Sequence, residues 1–333
     1  MEALPEFELM RPVSLDELEG LRAAHPDSAL IGGGTDLMVN MRRGIVAPKR
    51  LIDINRVAEM KEVAADGEGL SIGASVTLAE IAAHPEILRL YPALAEAARE
   101  IAGPVQRNMG TLGGNLCLDT RCIFYNQSDW WRTANNHCLK TTGEMCHVAP
   151  KSRGICFATY SGDLAPALLV HDARVEIAGP AGRRTVPLDD LYTGYARHEN
   201  PEAGDGKHFL SLAPGEFVVR VTAPKPGGLR SAYDKIRVRR SIEYPVAGAA
   251  VALRMEGDTV TDLRVAITGT NPRPVLLSGT DELHGPLDED FFEALDRLVR
   301  DQVMSMKTTF TPGHYRRKMA GVLAARLVRR LAG

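Results

Sequence analysis

Two glycine-rich loops, Gly32-Gly33-Gly34 and Gly113-Gly114, sit far apart in the chain. The first, Ile31-Gly32-Gly33-Gly34-Thr35-Asp36-Leu37, joins the apolar run SALI (28–31) to a helix-like segment, DLMVNMRRG (36–44), with Gly44 as its stop. Consecutive glycines let backbone N–H groups approach an anionic ligand without Cβ obstruction, and their dipoles stabilise its charge. A helix starting just afterwards adds the favourable end of its dipole. A tight strand-to-helix turn would use the same residues. The second loop, Thr111-Leu112-Gly113-Gly114-Asn115, again flanks a glycine pair with hydroxyl and amide groups able to bond phosphate oxygens. Each signal is weak by itself. Two in one chain suit a diphosphate held from two sides, which requires a fold that brings 30–37 and 111–115 together.

A Rossmann dinucleotide fold competes for the first loop. Gly32-x-Gly34 matches its first two glycines, and Asp53 stands roughly where the ribose-binding acid belongs. Leu37, however, occupies the third glycine position, where close helix–strand packing is normally needed.

At 333 residues the chain exceeds what one hydrophobic core usually serves, so two or three domains are expected. A net charge of −2 gives no electrostatic reason to expect nucleic acid or an anionic membrane as partner. No run approaches the ~20 apolar residues of a spanning helix. The acidic start MEALPEFELMRPVSL has no signal-peptide core, so the cytoplasm is the expected compartment. Ahead of the second loop, strand-like RLIDI (50–54) and LSIGA (70–74) precede helix-like TLAEIAAHPEIL (77–88) and YPALAEAAREIAG (91–103). Later come a hairpin pattern over 173–188 turning at Gly179-Pro180-Ala181-Gly182, a strand at 216–224 and a KPGG linker at 225–228. A small sheet with covering helices at 289–304 and 314–332 completes the chain.

Between these parts lies a segment of different character. All five cysteines fall between Cys117 and Cys156, together with both tryptophans, Trp130 and Trp131. Cytoplasmic cysteines serve more often as metal ligands or free thiols than in disulfides. The stretch has little apolar content for a core of its own, and a metal centre could fix it, because metal-binding free energy becomes folding free energy. Cys122, Cys138, Cys146 and Cys156 are separated by fifteen, seven and nine residues. Structural zinc sites usually draw on closely spaced cysteine pairs, and Cys117 with Cys122 is the nearest approach to one. His137 and His147, each beside a cysteine, keep a mixed zinc site open. Iron–sulfur clusters are held by four thiolates and accept wider spacing. Phe124, Tyr125, Trp130 and Trp131 could cover such a centre or simply pack locally.

The ordered set LIGGGTDL (30–37), IAGPVQRNMGTLGGN (101–115), SGDLAPAL (161–168) and YDKIRVR (233–239) resembles the FAD subunits of the xanthine dehydrogenase and carbon monoxide dehydrogenase family, the molybdenum hydroxylases, over essentially the whole chain. The resemblance implies an α+β fold in two parts. The first is a two-lobed FAD-binding domain of the vanillyl-alcohol oxidase and cresol methylhydroxylase type over 1–224, with lobes of about 1–56 and 57–224. The second is a C-terminal α/β domain of the CO dehydrogenase flavoprotein type over 225–333. By this match Leu30, Ile31, Gly32, Gly33, Gly34, Thr35, Asp36 and Leu37, with Thr111, Leu112, Gly113, Gly114 and Asn115, would hold the diphosphate. Ile101 would lie near the flavin, and Asp163, Phe217 and Lys235 would line the isoalloxazine and ribityl region. The implied role is electron transfer, with no catalytic residue in this chain.

Family members run from the Gly-Gly-Asn loop almost directly into the Ser-x-Asp-Leu-x-Pro segment, whereas here nearly fifty residues separate Asn115 from Asp163. The insertion, about 117–158, carries DTRCIFYNQSDWW, CLK and CHV, and resembles the β-subunit family of 4-hydroxybenzoyl-CoA reductases. That resemblance implies a 4Fe–4S cluster on Cys122, Cys138, Cys146 and Cys156, with Cys117 in reserve. It also implies partner subunits carrying the molybdenum cofactor and 2Fe–2S centres in an αβγ dimer, and ferredoxin as a low-potential donor. Electrons would pass through FAD to molybdenum for reductive removal of a phenolic hydroxyl, giving benzoyl-CoA. The chain lacks the C-x₄-C-x₂-C pattern of a plant-type 2Fe–2S site, which places such centres elsewhere. The rival expectations are an oxidising family member passing electrons outward and a zinc-stabilised nucleotide-binding protein.

Overall fold

The computed structural model describes residues 3–66, 68–194, 203–239 and 242–333. Short apolar strands near the N-terminus, β1 (Glu8–Met10), β2 (Ala29–Ile31) and β3 (Arg50–Asp53), pair in parallel in the order β1-β3-β2. Parallel neighbours need crossover connections. Helix α1 (Leu15–Ala24), capped by Ser14, connects β1 to β2, and α2 (Leu37–Arg42) lies between β2 and β3.

The second sheet is antiparallel, in the order β4 (Val63–Ala65), β5 (Gly69–Gly73), β8 (Phe217–Pro224), β6 (Arg174–Gly179), β7 (Gly182–Pro187). Its alternating inward residues Ile72, Val175, Ile177, Val219 and Val221 are fully buried, each stabilising the fold by about 1.5–3 kcal/mol. Seven helices lie in the long excursion between β5 and β6: α3 (Leu78–Ala83), α4 (Pro85–Leu90), α5 (Pro92–Glu100), α6 (Pro104–Arg107), α7 (Leu112–Leu116), α8 (Asp129–Ala134) and α9 (Leu164–Leu169). The expected helix over 77–88 is two helices. Thr77 and Glu80 form a capping box at the start of α3, and Pro85 forces extended backbone on His84 before α4 begins.

The third sheet, β9 (Arg230–Ile236), β10 (Ala247–Glu256), β11 (Thr259–Thr268), β12 (Val275–Leu276) and β13 (Gly285–Pro286), is also antiparallel. Phe291, Leu295 and Val299 of α10 (Glu289–Gln302) and Ala320, Leu323 and Leu327 of α11 (Gly313–Ala332) close a separate core over it. Arg316 of α11 is wholly buried; it donates to the carbonyls of Val246, Gly269 and Met306 and to Thr308 Oγ1. Thr308 in turn bonds Thr159 and accepts from the N–H of Ile123, so the C-terminal helix anchors the cysteine segment. No helix among the described residues is long and apolar enough to cross a membrane.

His171 marks the packing between α9, α5 and the third sheet. Its Nε2 lies 3.0 Å from Ser231 Oγ, its ring meets Tyr91 edge-on, and its Nδ1 is buried without a partner among the described residues. Burial, and secondarily Arg264, pushes its pKa down to about 4. The unfolded chain therefore binds a proton that the native one refuses between about pH 6.5 and 4. Stability is fully present above that window and falls as pH drops through it. Urea unfolding should show a loss of about 2 kcal/mol from this group between pH 7 and 5. A His171→Gln variant should lose that part of the slope; an unchanged slope would assign the acid sensitivity to other groups.

Candidate functional site

The two glycine loops cross. A Cβ on Gly33 would lie 1.8 Å from the Met109 carbonyl oxygen, so this glycine is required by the second loop's own backbone. Thr111 caps α7, accepting from the Gly114 N–H at 3.2 Å, and its Oγ1 would lie 3.0 Å from a Cβ on Gly32. The N–H groups of Leu112 and Gly113 bond Val76 and Ala74 at the end of the second sheet, which fixes the loop there. The N–H groups of Gly33, Gly34 and Thr35 have no partner among the described residues. Gly34 adopts φ +66°, which turns this run of donors.

Beside the crossing opens a cavity of about 610 Å³, within the range of cofactor sites. Of the residues expected from sequence, Leu30 through Leu37, Ile101, Thr111, Gly113, Gly114, Asn115, Asp163 and Phe217 line it. Two do not. Leu112 is buried in the main core, because the helical turn of α7 directs it away from the loop's open side. Lys235 lies on β9, behind the wall. Its side chain is fully buried, with Nζ 3.0 Å from Asp163 Oδ1 and 3.3 Å from the Glu243 carbonyl. Tyr233 donates to the same Asp163 oxygen at 2.5 Å. Replacing Lys235 with Ala should therefore act through Asp163, left as a buried carboxylate without its cation. The expected cost is about 3–5 kcal/mol, read as a lowered thermal midpoint. A midpoint within a degree or two of the parent would show that Tyr233 alone holds the carboxylate.

Asp53 is not a ligand-binding acid. Its Oδ1 accepts from the N–H and side-chain amide of Asn55, whose Nδ2 also reaches the Gly32 carbonyl, and it stands outside the cavity lining. The β1-α1-β2-α2-β3 run pairs in the order β1-β3-β2, with β3 central, and not in the 3-2-1 order of a Rossmann half.

Among the described residues the cavity wall carries five carboxylates, Asp36, Asp119, Asp163, Glu216 and Glu243. Unpaired, they would repel an anionic ligand. Each is matched by a cation outside the lining: Arg121 on Asp36, Lys140 on Asp119, Lys235 on Asp163, Arg184 on Glu216 and Arg239 on Glu243. Asp36 is held above the usual carboxylate range by burial, with Arg121 opposing. Glu216 is held below it by hydrogen bonds from Arg184. Four of these five pairs join residues distant in the chain and left no signal in the sequence, whereas Arg239 and Glu243 are only four residues apart. Ala102, Gln106, Leu118, Ser161, Ile242 and Tyr244 also line the cavity without having been expected. Ala102 adopts φ +45°, unusual for a residue with a Cβ. Open glycine donors, an apolar wall and neutralised acids fit a dinucleotide such as FAD.

The cysteine segment packs against the side of this cavity. Cys122, Cys138 and Cys156 are buried around Tyr125 and Ala158, with Phe124, Leu139 and Val148 at the margin. The Cys122 thiol is pushed up to about 11, mainly by burial, with Cys146 and Cys138 adding to the effect. Burial likewise pushes Cys156 to about 12, with Lys140 opposing and Cys146 adding. Cys146, buried in the same segment, is within electrostatic reach of Cys122 and Cys156, which share a buried group with Cys138. Cys117 does not join them. It lines the flavin-side cavity near Tyr160 and Tyr192. No three His, Cys, Asp or Glu side chains among the described residues form a group that could hold a metal ion. His147 points its Nε2 at the His137 carbonyl at 2.7 Å and packs on Phe124 and Trp131, which disfavours the mixed zinc site. Four buried thiols are the donor set that a cubane iron–sulfur cluster uses. Trp130 is 78% exposed and covers nothing.

Comparison with known proteins matches two families in succession along the chain. The family described as the FAD binding domain in molybdopterin dehydrogenase matches residues 5–226, and the CO dehydrogenase flavoprotein C-terminal domain matches 231–331. The aldehyde oxidoreductase FAD-binding subunit PaoB of Escherichia coli K12 is 31% identical over 304 residues, covering 90% of this chain and 91% of that one. The carbon monoxide dehydrogenase medium chain of Hydrogenophaga pseudoflava is 29% identical, covering 83% and 78%. Among solved structures, a cyanide-inactivated Cu,Mo-CO dehydrogenase superposes with a TM-score of 0.78 at 24% identity, covering 99% of each chain. Quinoline 2-oxidoreductase from Pseudomonas putida 86 gives 0.76 at 23%, covering 99% of this chain and 98% of that one. These superpositions establish the fold.

Proposed function

We propose, from the premise that this chain belongs to the FAD-binding subunits of the molybdenum hydroxylase family, that it is the electron-transfer flavoprotein subunit of a 4-hydroxybenzoyl-CoA reductase-type enzyme. The single observation that carries this reading is the shared buried group of Cys122, Cys138 and Cys156 beside the dinucleotide cavity, with Cys146 buried in the same segment within electrostatic reach of two of them. Residues 1–224 form the FAD-binding domain in this reading, and 225–333 the C-terminal domain. The glycine loops hold the diphosphate, and Ile101, Asp163 and Phe217 lie along the flavin and ribityl portion. The four cysteines hold a 4Fe–4S cluster. Bound FAD supplies one- and two-electron exchange, and a thiolate-held cluster supplies one-electron exchange at low potential.

In this role the chain relays electrons from a donor such as ferredoxin toward 2Fe–2S and molybdenum centres on partner subunits. Reductive dehydroxylation to benzoyl-CoA takes place there, in a cytoplasmic heterohexamer. The chain's own residues supply binding, burial and fixed charge: the apolar surroundings of the thiols exclude water, and the paired carboxylates keep the cavity receptive to an anion. A second reading has a specific observation behind it, since the relatives named above are an aldehyde oxidoreductase and a carbon monoxide dehydrogenase. In it electrons flow outward from FAD to an acceptor.

Metal and flavin analysis of the purified chain tests the assignment. About four irons and one FAD per chain are expected, with thiolate-to-iron absorption beneath the flavin bands. Stoichiometric zinc without iron sinks the reading. Reduction of the bound flavin by ferredoxin, faster than flavin oxidation by NAD, favours the inward direction over the second reading.

A further inference from the structure

Lys140 and Asp119 form an ion pair between the thiol group and the dinucleotide cavity. Lys140 Nζ donates to Asp119 Oδ1 at 2.8 Å, to Thr120 Oγ1 at 2.7 Å and to the Gly206 carbonyl at 2.8 Å. Its side chain is only 5% exposed, and the ammonium lies 5.0 Å from the centre of the Tyr125 ring. Tyr125, packed among the thiols, donates to the other Asp119 oxygen at 2.8 Å. The pair is polarised in space: Asp119 lines the cavity and Lys140 does not, and the Lys140 ammonium stands over the Tyr125 ring, which is packed with Cys122, Cys138 and Cys156.

We propose that this pair is a fixed dipole, positive toward the thiols and negative toward the cavity, that sets the relative redox potentials of the centres held on its two sides. The inference rests on the reading that the four cysteines hold an iron–sulfur cluster and the cavity holds FAD. Reduction adds negative charge. A buried cation beside one centre favours its reduced form, and a carboxylate in the wall of the other disfavours reduction there; both effects are magnified where water is excluded. Asp205, which accepts from the Cys156 N–H at 2.8 Å, opposes the cation at the thiol side but reaches no cavity wall. The pair therefore narrows the downhill step from the thiol side to the flavin and stabilises an electron waiting at the inlet. Lys140 is rigid enough for this task, because three hydrogen bonds and two aromatic rings hold its charge in place.

The test is a set of redox titrations on the full chain as purified, with the iron–sulfur signal followed by electron paramagnetic resonance and the flavin by absorbance. Lys140→Met should lower the midpoint of the thiol-side centre. The reduced-to-oxidised ratio at a fixed potential should fall about tenfold, equivalent to about 59 mV for one electron. Lys140→Arg keeps the charge and should stay near the parent. Asp119→Asn should raise the flavin midpoint. Iron-loaded Lys140→Met with both midpoints at parental values overturns the inference while leaving the electron-transfer reading intact. Should Lys140→Met lose its iron, Asp119→Asn decides: a raised flavin midpoint supports the dipole and an unchanged one overturns it. A parent protein that binds FAD but no iron overturns the functional reading, and this inference with it.

Discussion

Serine at Cys122, Cys138, Cys146 or Cys156 is expected to abolish the iron–sulfur absorption of the purified protein, whereas serine at Cys117 should preserve it. Serine keeps the size of the side chain but offers a weakly acidic hydroxyl in place of a thiolate, and cluster iron is held by thiolates. The choice of four comes from the family resemblance, and three of these thiols lie together. Cys122, Cys138 and Cys156 share one buried apolar group, and Cys146 acts electrostatically on both Cys122 and Cys156. The Cys117 thiol, pushed up to about 12 by burial, interacts instead with Tyr160 and Tyr192. Each loss should also loosen the segment, since the cluster's binding free energy is part of its folding free energy. Limited proteolysis within 117–158 should then accelerate. Iron retained in Cys156→Ser but lost in Cys117→Ser would exchange the ligand set and place the cluster in the cavity wall.

How much of this was readable from the chain differs from place to place, and the differences are physical. The glycine loops were legible because close backbone approach leaves a local signature: only residues without a Cβ fit where Gly33 meets Met109. The cysteines were legible because their confinement to one stretch is a property of sequence alone. Lys235 and Leu112 were misplaced because direction is not written in a motif. Lys235 pairs with Asp163 only once the register Lys235↔Gly248 fixes which way the β9 side chains face. The row of cations was invisible for a related reason. Arg121 meets Asp36, and Arg184 meets Glu216, through folding alone, and no spacing rule anticipates such contacts.

The insertion is also less modular than its sequence suggests. Arg132, buried in α8, donates to the carbonyls of Arg43 and Gly44 just beyond α2, and Arg121 holds Asp36 at the start of that helix. Excising Asp119 to Phe157 would therefore remove the partner of a cavity carboxylate along with the thiols. Loss of FAD from such a deletion would say little about electron entry, so single cysteine and lysine substitutions are the cleaner instruments.

Gly33→Val and Gly114→Val are expected to lose FAD for different reasons, and the difference is measurable. At Gly33 the added β-carbon would sit 1.8 Å from the Met109 oxygen and 2.8 Å from the Gly110 nitrogen, all of it backbone that cannot swing aside. The loops would have to separate. The protein without flavin should lose about 3 kcal/mol or more of stability, in the range of severe overpacking, and no concentration of FAD should recover the parental midpoint. At Gly114 the only neighbour of an added Cβ among the described residues is Thr111 Oγ1 at 3.1 Å, and the residue is exposed on the cavity side. The flavin-free stability should stay within about 1 kcal/mol of the parent. Only the ligand should feel the change, with FAD affinity reduced by more than about tenfold. Thermal unfolding with and without FAD separates the two cases, because a ligand at a hundred times its Kd adds about 2.7 kcal/mol to a protein that still binds it. The parent should show that increment in full, Gly114→Val should show it only at proportionately higher FAD, and Gly33→Val should not show it. Parental FAD affinity in Gly114→Val would remove the second glycine loop from the binding wall and leave the first to hold the diphosphate alone.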